Sequence, residues 1–129
     1  MSPQATPKGF PSPAEDYKEK LLDLNSLLVK NPPATFFVRC KSGSMKAAGI
    51  FTGDVLIVDK SVKARNNSIV LAFLDGDFVV RRLTLKGKTA ILSTDDGSGF
   101  SEEIAEGIRD FYIWGVVTYI IHKPGAPHD

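Results

Sequence analysis

The sequence predicts a mainly β fold: a small, mostly antiparallel β domain with an N-terminal helix and a flexible N-terminal arm. Three observations carry this expectation. From Thr35 onward the apolar residues fall in short blocks rich in β-branched and aromatic side chains, separated by Gly, Asp and Asn turns. Asp75-Gly76 stands between two such blocks and is a strong two-residue hairpin signal. Helical spacing is confined to the stretch before Pro32, where Tyr17, Leu21, Leu24 and Leu28 recur and Leu22 and Leu27 widen the stripe.

The elements follow in order. Residues 1–13 hold Pro3, Pro7, Pro11 and Pro13 without any period, the pattern of a flexible arm. Ser12 is placed to cap a helix, Pro13 suits its first position, and Glu15 completes a capping-box spacing. Asp23 offers a second helix start, so one helix or two are both open. Pro32-Pro33 ends the helical stretch, and its leucines are expected to face the core. Strands are expected at Thr35–Cys40, Val55–Val58, Ile69–Leu74, Asp77–Leu85, Thr89–Ser93 and Phe111–Ile121. Ser42–Gly53 is a Gly-rich turn region, and Asp95–Glu106 is polar and loop-like. The domain is thus placed at residues 14–123, with a frayed tail at 124–129.

Composition excludes several function classes. The chain of 129 residues has 43% hydrophobic and 24% charged residues, the balance of one ordinary domain. Its 16 basic and 15 acidic residues give a net charge of +1, which argues against a strongly basic nucleic-acid binder. Cys40 is the single cysteine, so no intramolecular disulfide forms. With His122 and His128 as the only histidines, no zinc-ligand set is available, and no metal or other cofactor is expected. The run Ile113–Ile121 is far shorter than the ~20 residues of a membrane helix, and the N-terminus carries no apolar signal segment. A cytoplasmic protein with no membrane contact is the expectation.

The stretch Ser42-Gly43-Ser44-Met45, Gly49-Ile50, then Gly53-Asp54-Val55-Leu56-Ile57-Val58-Asp59 is the most informative. Glycines beside a serine free the backbone for a tight turn and leave the hydroxyl exposed. On that feature alone a loop serine and a nucleophile are both open, with Ser42 an equal rival of Ser44. The other polar clusters favour solvated surface. Asp95, Asp96, Glu102, Glu103 and Glu106 show no calcium-loop spacing. Arg81, Arg82, Lys86 and Lys88 would divide over two faces of a strand, so a DNA patch is weakly supported and any DNA contact is indirect. Tyr112 and Trp114 share one face of the last strand by parity and Tyr119 takes the other; core packing and a dimer interface explain them equally.

The ordered combination of Ser44-Met45, Gly49-Ile50, Gly53-Asp54 and an apolar run ending in Ile57-Val58-Asp59 resembles the family of LexA repressors and UmuD mutagenesis proteins. These are self-cleaving serine peptidases with a Ser–Lys dyad, distantly similar to signal peptidases. Gly9-Phe10-Pro11-Ser12-Pro13-Ala14, Asp16-Tyr17 and Asp23-Leu24-Asn25 look like the segment just after the UmuD cleavage site. Asp75-Gly76 with Phe78 and Val80 resembles the hairpin that carries the general base, and Phe111 to Val117 the last core strand. Thirty-four residues before Thr35 leave no room for the DNA-binding domain of a LexA repressor. The resemblance implies a LexA- and signal-peptidase-like β domain with Ser44 at the nucleophile position.

It also implies a lysine base, and here the chain departs from the pattern. The matching position in Phe78-Val79-Val80-Arg81-Arg82 is Arg81. A guanidinium has no acceptor and stays protonated at any accessible pH, so it cannot take the serine proton. Lys46 reads as a solvated loop residue, and Lys86 faces the side opposite Arg81 in an unbroken strand. The match to the cleavage site is Lys8-Gly9, where the family prefers a small or apolar residue before the cut, and only eight residues precede Gly9.

Two readings follow. In the first, the chain is a UmuD′-like accessory subunit, made without need of self-cleavage. By resemblance it is a homodimer that joins a UmuC-like Y-family polymerase (polymerase V type) in SOS mutagenesis and translesion DNA synthesis. In the second it is a RecA-stimulated self-cleaving serine peptidase whose Ser44 uses an unidentified base. A signal-peptidase-like or phage regulatory enzyme is disfavoured, since neither a membrane anchor nor a DNA-binding domain is read.

Overall fold

The computed structural model describes residues 23–105, 107 and 109–125. The expected arm at 1–13, the helix start at Ser12, the Lys8-Gly9 match and the last four tail residues lie outside them. The chain divides into two units between Lys30 and Asn31.

In the first unit, a short helix α1 spans Leu24–Leu28. The second start offered by Asp23 is used: its carboxylate accepts from the Asn25 amide at 3.0 Å and the Ser26 hydroxyl at 3.1 Å. Of the leucines expected to face the core, Leu24, Leu27 and Leu28 do not bury there, and Leu21 and Leu22 lie outside the described residues. No residue of α1 is buried, and Leu24 is 61% exposed. Five residues make little more than one turn, too short for a 3.6-residue period to select a face.

The second unit is one seven-stranded sheet. Its strands are β1 (Thr35–Arg39), β2 (Val55–Asp59), β3 (Ile69–Leu74), β4 (Asp77–Lys86), β5 (Thr89–Ser93), β6 (Ser101–Ala105) and β7 (Phe111–Ile121), in the order β1-β2-β7-β3-β4-β5-β6. Every neighbouring pair is antiparallel. Asp75 and Gly76 both take positive φ, 50° and 95°, the two-residue turn whose twist matches the flanking strands. Strand β6 corrects the reading of Asp95–Glu106 as wholly loop. Ser101–Ala105 pairs with Thr89–Ser93, and only Ile104 among its residues is buried. One apolar anchor among polar residues is the sequence of an edge strand, which shows almost no alternation signal.

Strand β7 runs through the middle of the sheet between β2 and β3. Its register slips by one residue at Trp114 against β3 and again at Thr118 against β2. Each slip is a β-bulge, and Thr118 Oγ1 donates to the Ile57 carbonyl at 3.2 Å. Two one-residue slips restore parity, so Tyr119 stands opposite Ile57. Gly115 lies between the bulges, where a Cβ would meet Val58 Cγ1 at 2.6 Å.

The two faces of the sheet bury separate clusters. Val70, Ala72, Leu83, Leu92, Ile104 and Val116 fill one. On the other, Leu56, Val58 and Leu71 pack with Cys40, Met45 and Ile50, which come from the long β1–β2 connection. That connection is the piece of chain that carries Ser44.

Candidate functional site

The β1–β2 connection is pinched at its neck. The Cys40 amide donates to the Asp54 carbonyl and the Gly53 amide to the Cys40 carbonyl, both at 2.8 Å. Met45 and Ile50 are fully buried and hold the loop against the sheet. A 3-10 turn over Lys46–Ala48 ends at Gly49, whose φ of 88° is a conformation glycine adopts without strain. Ser44 sits just ahead of that turn, half-buried, with its amide donating to Ser42 Oγ at 3.0 Å. Ser42 thus supports the turn of its rival. The polar stretch after β5 closes the other side. The Asp95 amide donates to the Ser44 carbonyl and the Ala47 amide to the Asp95 carbonyl, each at 2.7 Å. Arg82 holds Asp95 in turn, Nη2 to Oδ2 at 3.3 Å, and donates to the Asn67 carbonyl.

Arg81 extends from β4 to the serine. Its Nη1 donates to Ser44 Oγ at 3.0 Å and to the Val80 carbonyl at 2.8 Å. The Ser44 hydroxyl has its own long contact to the Val80 carbonyl at 3.5 Å. Burial lowers the affinity of Arg81 for its proton, and Glu102 and Asp96 oppose that effect at longer range. The guanidinium remains charged at working pH all the same. The cation favours a negative oxygen beside it, but it can accept no proton from Ser44. Among the described residues, no lysine amine lies within hydrogen-bond reach of Ser44 Oγ. Lys46, two residues from Ser44, is exposed, and Lys86 is the exposed last residue of β4. Ser44 and Arg81, far apart in sequence, are therefore brought together, and the guanidinium turns toward the hydroxyl.

Three residues of the acidic cluster, Asp95, Asp96 and Glu102, have structural employment, and Glu106 lies outside the described residues. Asp95 joins the serine turn, and Glu102 accepts from Arg109 Nη1 at 2.6 Å. Asp96 accepts from the Ser98 hydroxyl at 2.6 Å and amide at 3.0 Å, which hold its carboxyl below the usual range. No group of three or more metal-ligating side chains occurs among the described residues. No helix among them is long and apolar enough to cross a membrane.

Sequence reasoning missed one buried carboxylate beside the site. Asp54 is 3% exposed; its Oδ2 accepts from the Phe51 amide at 2.8 Å, and its Oδ1 lies 2.6 Å from His122 Nδ1. The pair ties the end of β7 to the neck of the serine loop. The signal was an Asp directly ahead of the apolar run Val55–Val58, where a carboxylate is buried and needs partners.

The site is thus a serine on a tight turn, pressed against the strand of an antiparallel sheet that carries its partner side chain, and its class comes from comparison with known proteins. The chain belongs to the Peptidase S24-like family, whose pattern it matches over residues 4–118. The LexA- and UmuD-like resemblance of the serine turn is thus one of family. It is 45% identical over 115 residues to the protein ImpA of Salmonella typhimurium, covering 89% of this chain and 77% of ImpA. It is likewise 45% identical over 119 residues to SamA of S. typhimurium strain LT2, covering 91% of this chain and 80% of SamA. To MucA of Escherichia coli it is 38% identical over 119 residues, 90% of this chain and 80% of MucA.

Proposed function

We propose that this chain is a non-catalytic, UmuD′-like accessory subunit of an error-prone Y-family DNA polymerase, acting in SOS mutagenesis and translesion synthesis in the cytoplasm. One observation carries the non-catalytic part: the group that meets Ser44 Oγ is the Arg81 guanidinium, at 3.0 Å. A general base must accept the serine proton, and a guanidinium only donates. The Ser44 amide, a natural donor to a developing oxyanion, is also engaged by Ser42 Oγ. Membership of the family supports the SOS role, and the polymerase partnership comes by resemblance to UmuD.

The test has two arms. The full chain is incubated with an activated RecA filament, and separately at about pH 10, and its intact mass is followed. No change is expected. Cleavage at Lys8-Gly9 that disappears in Ser44→Ala would establish the self-cleaving reading instead. In cells lacking their own UmuD, Ser44→Ala is expected to restore damage-induced mutagenesis as well as the unaltered chain does. Loss of mutagenesis at normal protein level would overturn the proposal.

A homodimer belongs to the same reading. Phe37, Tyr119 and Ile121 are exposed near the β1 edge of the sheet, and burying such a patch across a two-fold axis is the usual solution. Light scattering is expected to give twice the 14.0 kDa chain mass at micromolar concentration; the monomer mass would contradict it.

A further inference from the structure

Arg81 is a half-buried cation that feels the carboxylates of Glu102 and Asp96 only at longer range. Among the described residues no carboxylate lies within ion-pair distance of it, whereas Arg82 and Arg109 are both paired. Only Nη1 of Arg81 makes hydrogen bonds to described residues, and both go to neutral oxygens. Toward the described residues its Nε and Nη2 keep their donors free. A partly desolvated charge is ordinarily paired, because burial removes solvation that neutral acceptors replace only in part. The Ser44 hydroxyl beside it can still donate, since its present contact to the Val80 carbonyl is long, at 3.5 Å. A planar fork of N–H donors next to an O–H donor is the complement of a carboxylate.

The ground beside this pair is apolar. Phe78 lies two residues before Val80 on the same face of β4. A chain of ring contacts runs on from it: Phe78 to Phe73 at 5.3 Å, Phe73 to Tyr112 at 5.2 Å, Phe78 to Trp114 at 6.0 Å and Trp114 to Phe36 at 4.8 Å. Trp114 and Val80 both pack on the cluster that buries Met45, the neighbour of Ser44. Phe36, Phe78 and Tyr112 remain 39%, 53% and 48% exposed. The strip therefore borders the serine turn, open on one side and continuous over four strands.

We propose that Ser44 and Arg81 form a carboxylate-binding site that holds the free C-terminus of an extended apolar peptide, with the aromatic strip taking its side chains. The proposal rests on the non-catalytic reading above. A fold that presents a serine to a peptide carbonyl also places a carboxylate carbon there, and the cation in place of a neutral base converts that position from turnover to retention. A bare inorganic anion would leave the strip unused.

Trp114 is the only tryptophan and reports on the strip directly. The full chain is titrated with N-acetyl-Ala-Phe-Val-Ala as the free acid and as the C-terminal amide, following Trp114 emission. The acid is expected to give a saturable change, and the amide to bind at least about tenfold more weakly, the value of one charge-assisted hydrogen bond. Arg81→Gln should lose the same factor for the acid and nothing for the amide; the acid–amide contrast on the unaltered chain needs no variant. Equal binding of acid and amide would overturn the proposal. So would inorganic phosphate binding as tightly as the acid, or an amidated peptide with an internal Asp doing so. Mass spectra of the same samples separate the two readings. Ser44-dependent cleavage of the peptide overturns the non-catalytic reading and this proposal with it, while intact peptide that does not bind overturns this proposal alone.

Discussion

The serine end and the hairpin end of the sheet each place an arginine among oxygens, with opposite results. At the hairpin end, Arg109 gives Nε and Nη2 to Asp75 and Nη1 to Glu102, joining the β3–β4 turn to β6. Both carboxylates raise its already high pKa. At the serine end, Arg81 meets a hydroxyl and a backbone carbonyl, and burial pulls its pKa the other way. The surroundings of Arg109 pay for its charge in full, whereas at Arg81 burial outweighs the longer-range pull of Glu102 and Asp96. An arginine whose cost the fold leaves unbalanced is placed for something other than the fold. What stands beside it is the Ser44 hydroxyl.

The largest expected effect breaks this contrast by changing one side chain. Arg81→Lys puts an amine that can lose its proton beside Ser44. Its neutral form is the base, so the rate at which a serine-directed fluorophosphonate labels Ser44 should rise with pH as the lysine deprotonates. An ordinary lysine titrates near ~10.4, and partial burial brings that down. A positioned general base is worth about 10²–10⁴-fold, and the variant should gain within that range over the unaltered chain. The signal must vanish in Ser44→Ala of the same variant. If Arg81→Lys labels no faster than the unaltered chain at any pH, a missing base is not what sets the reactivity of Ser44.

How much of this was legible in the sequence differs by element. The Asp75-Gly76 hairpin and the β-branched blocks of β2, β3 and β7 were readable because local chemistry and burial agree there. Ser101–Ala105 was not, since a single buried Ile104 gives an edge strand no period. Leu24, Leu27 and Leu28 were expected to face the core and are not buried, because a five-residue helix is too short for a 3.6-residue period to select a face. At the site, the serine turn and Arg81 were legible as types and order. Three facts depend on register and pairing and have no local signature: Arg81 turning onto Ser44 Oγ, Asp95 closing the turn, and Asp54 meeting His122 across 68 residues.

The smaller effect sharpens the contrast without chemistry. Arg109→Gln removes the charge that Asp75 and Glu102 both answer, so the midpoint of thermal unfolding should fall. Arg81→Gln removes a charge that has no ion-pair partner among the described residues and feels Glu102 and Asp96 only at longer range, and the amide can still donate toward Ser44 Oγ and the Val80 carbonyl. For a basic group whose pKa is lowered by folding, the charged form is the one the fold disfavours. That penalty applies at every pH below the folded value, which for an arginine means the whole working range, so its removal cannot cost stability by the electrostatic route. The melting midpoint of Arg81→Gln should therefore match or exceed that of the unaltered chain from pH 5 to pH 9, a window far from any arginine titration. Calorimetry on both variants decides it. A fall for Arg81→Gln as large as that for Arg109→Gln would mean that Arg81 is a structural arginine after all, and that its place beside Ser44 needs no functional account.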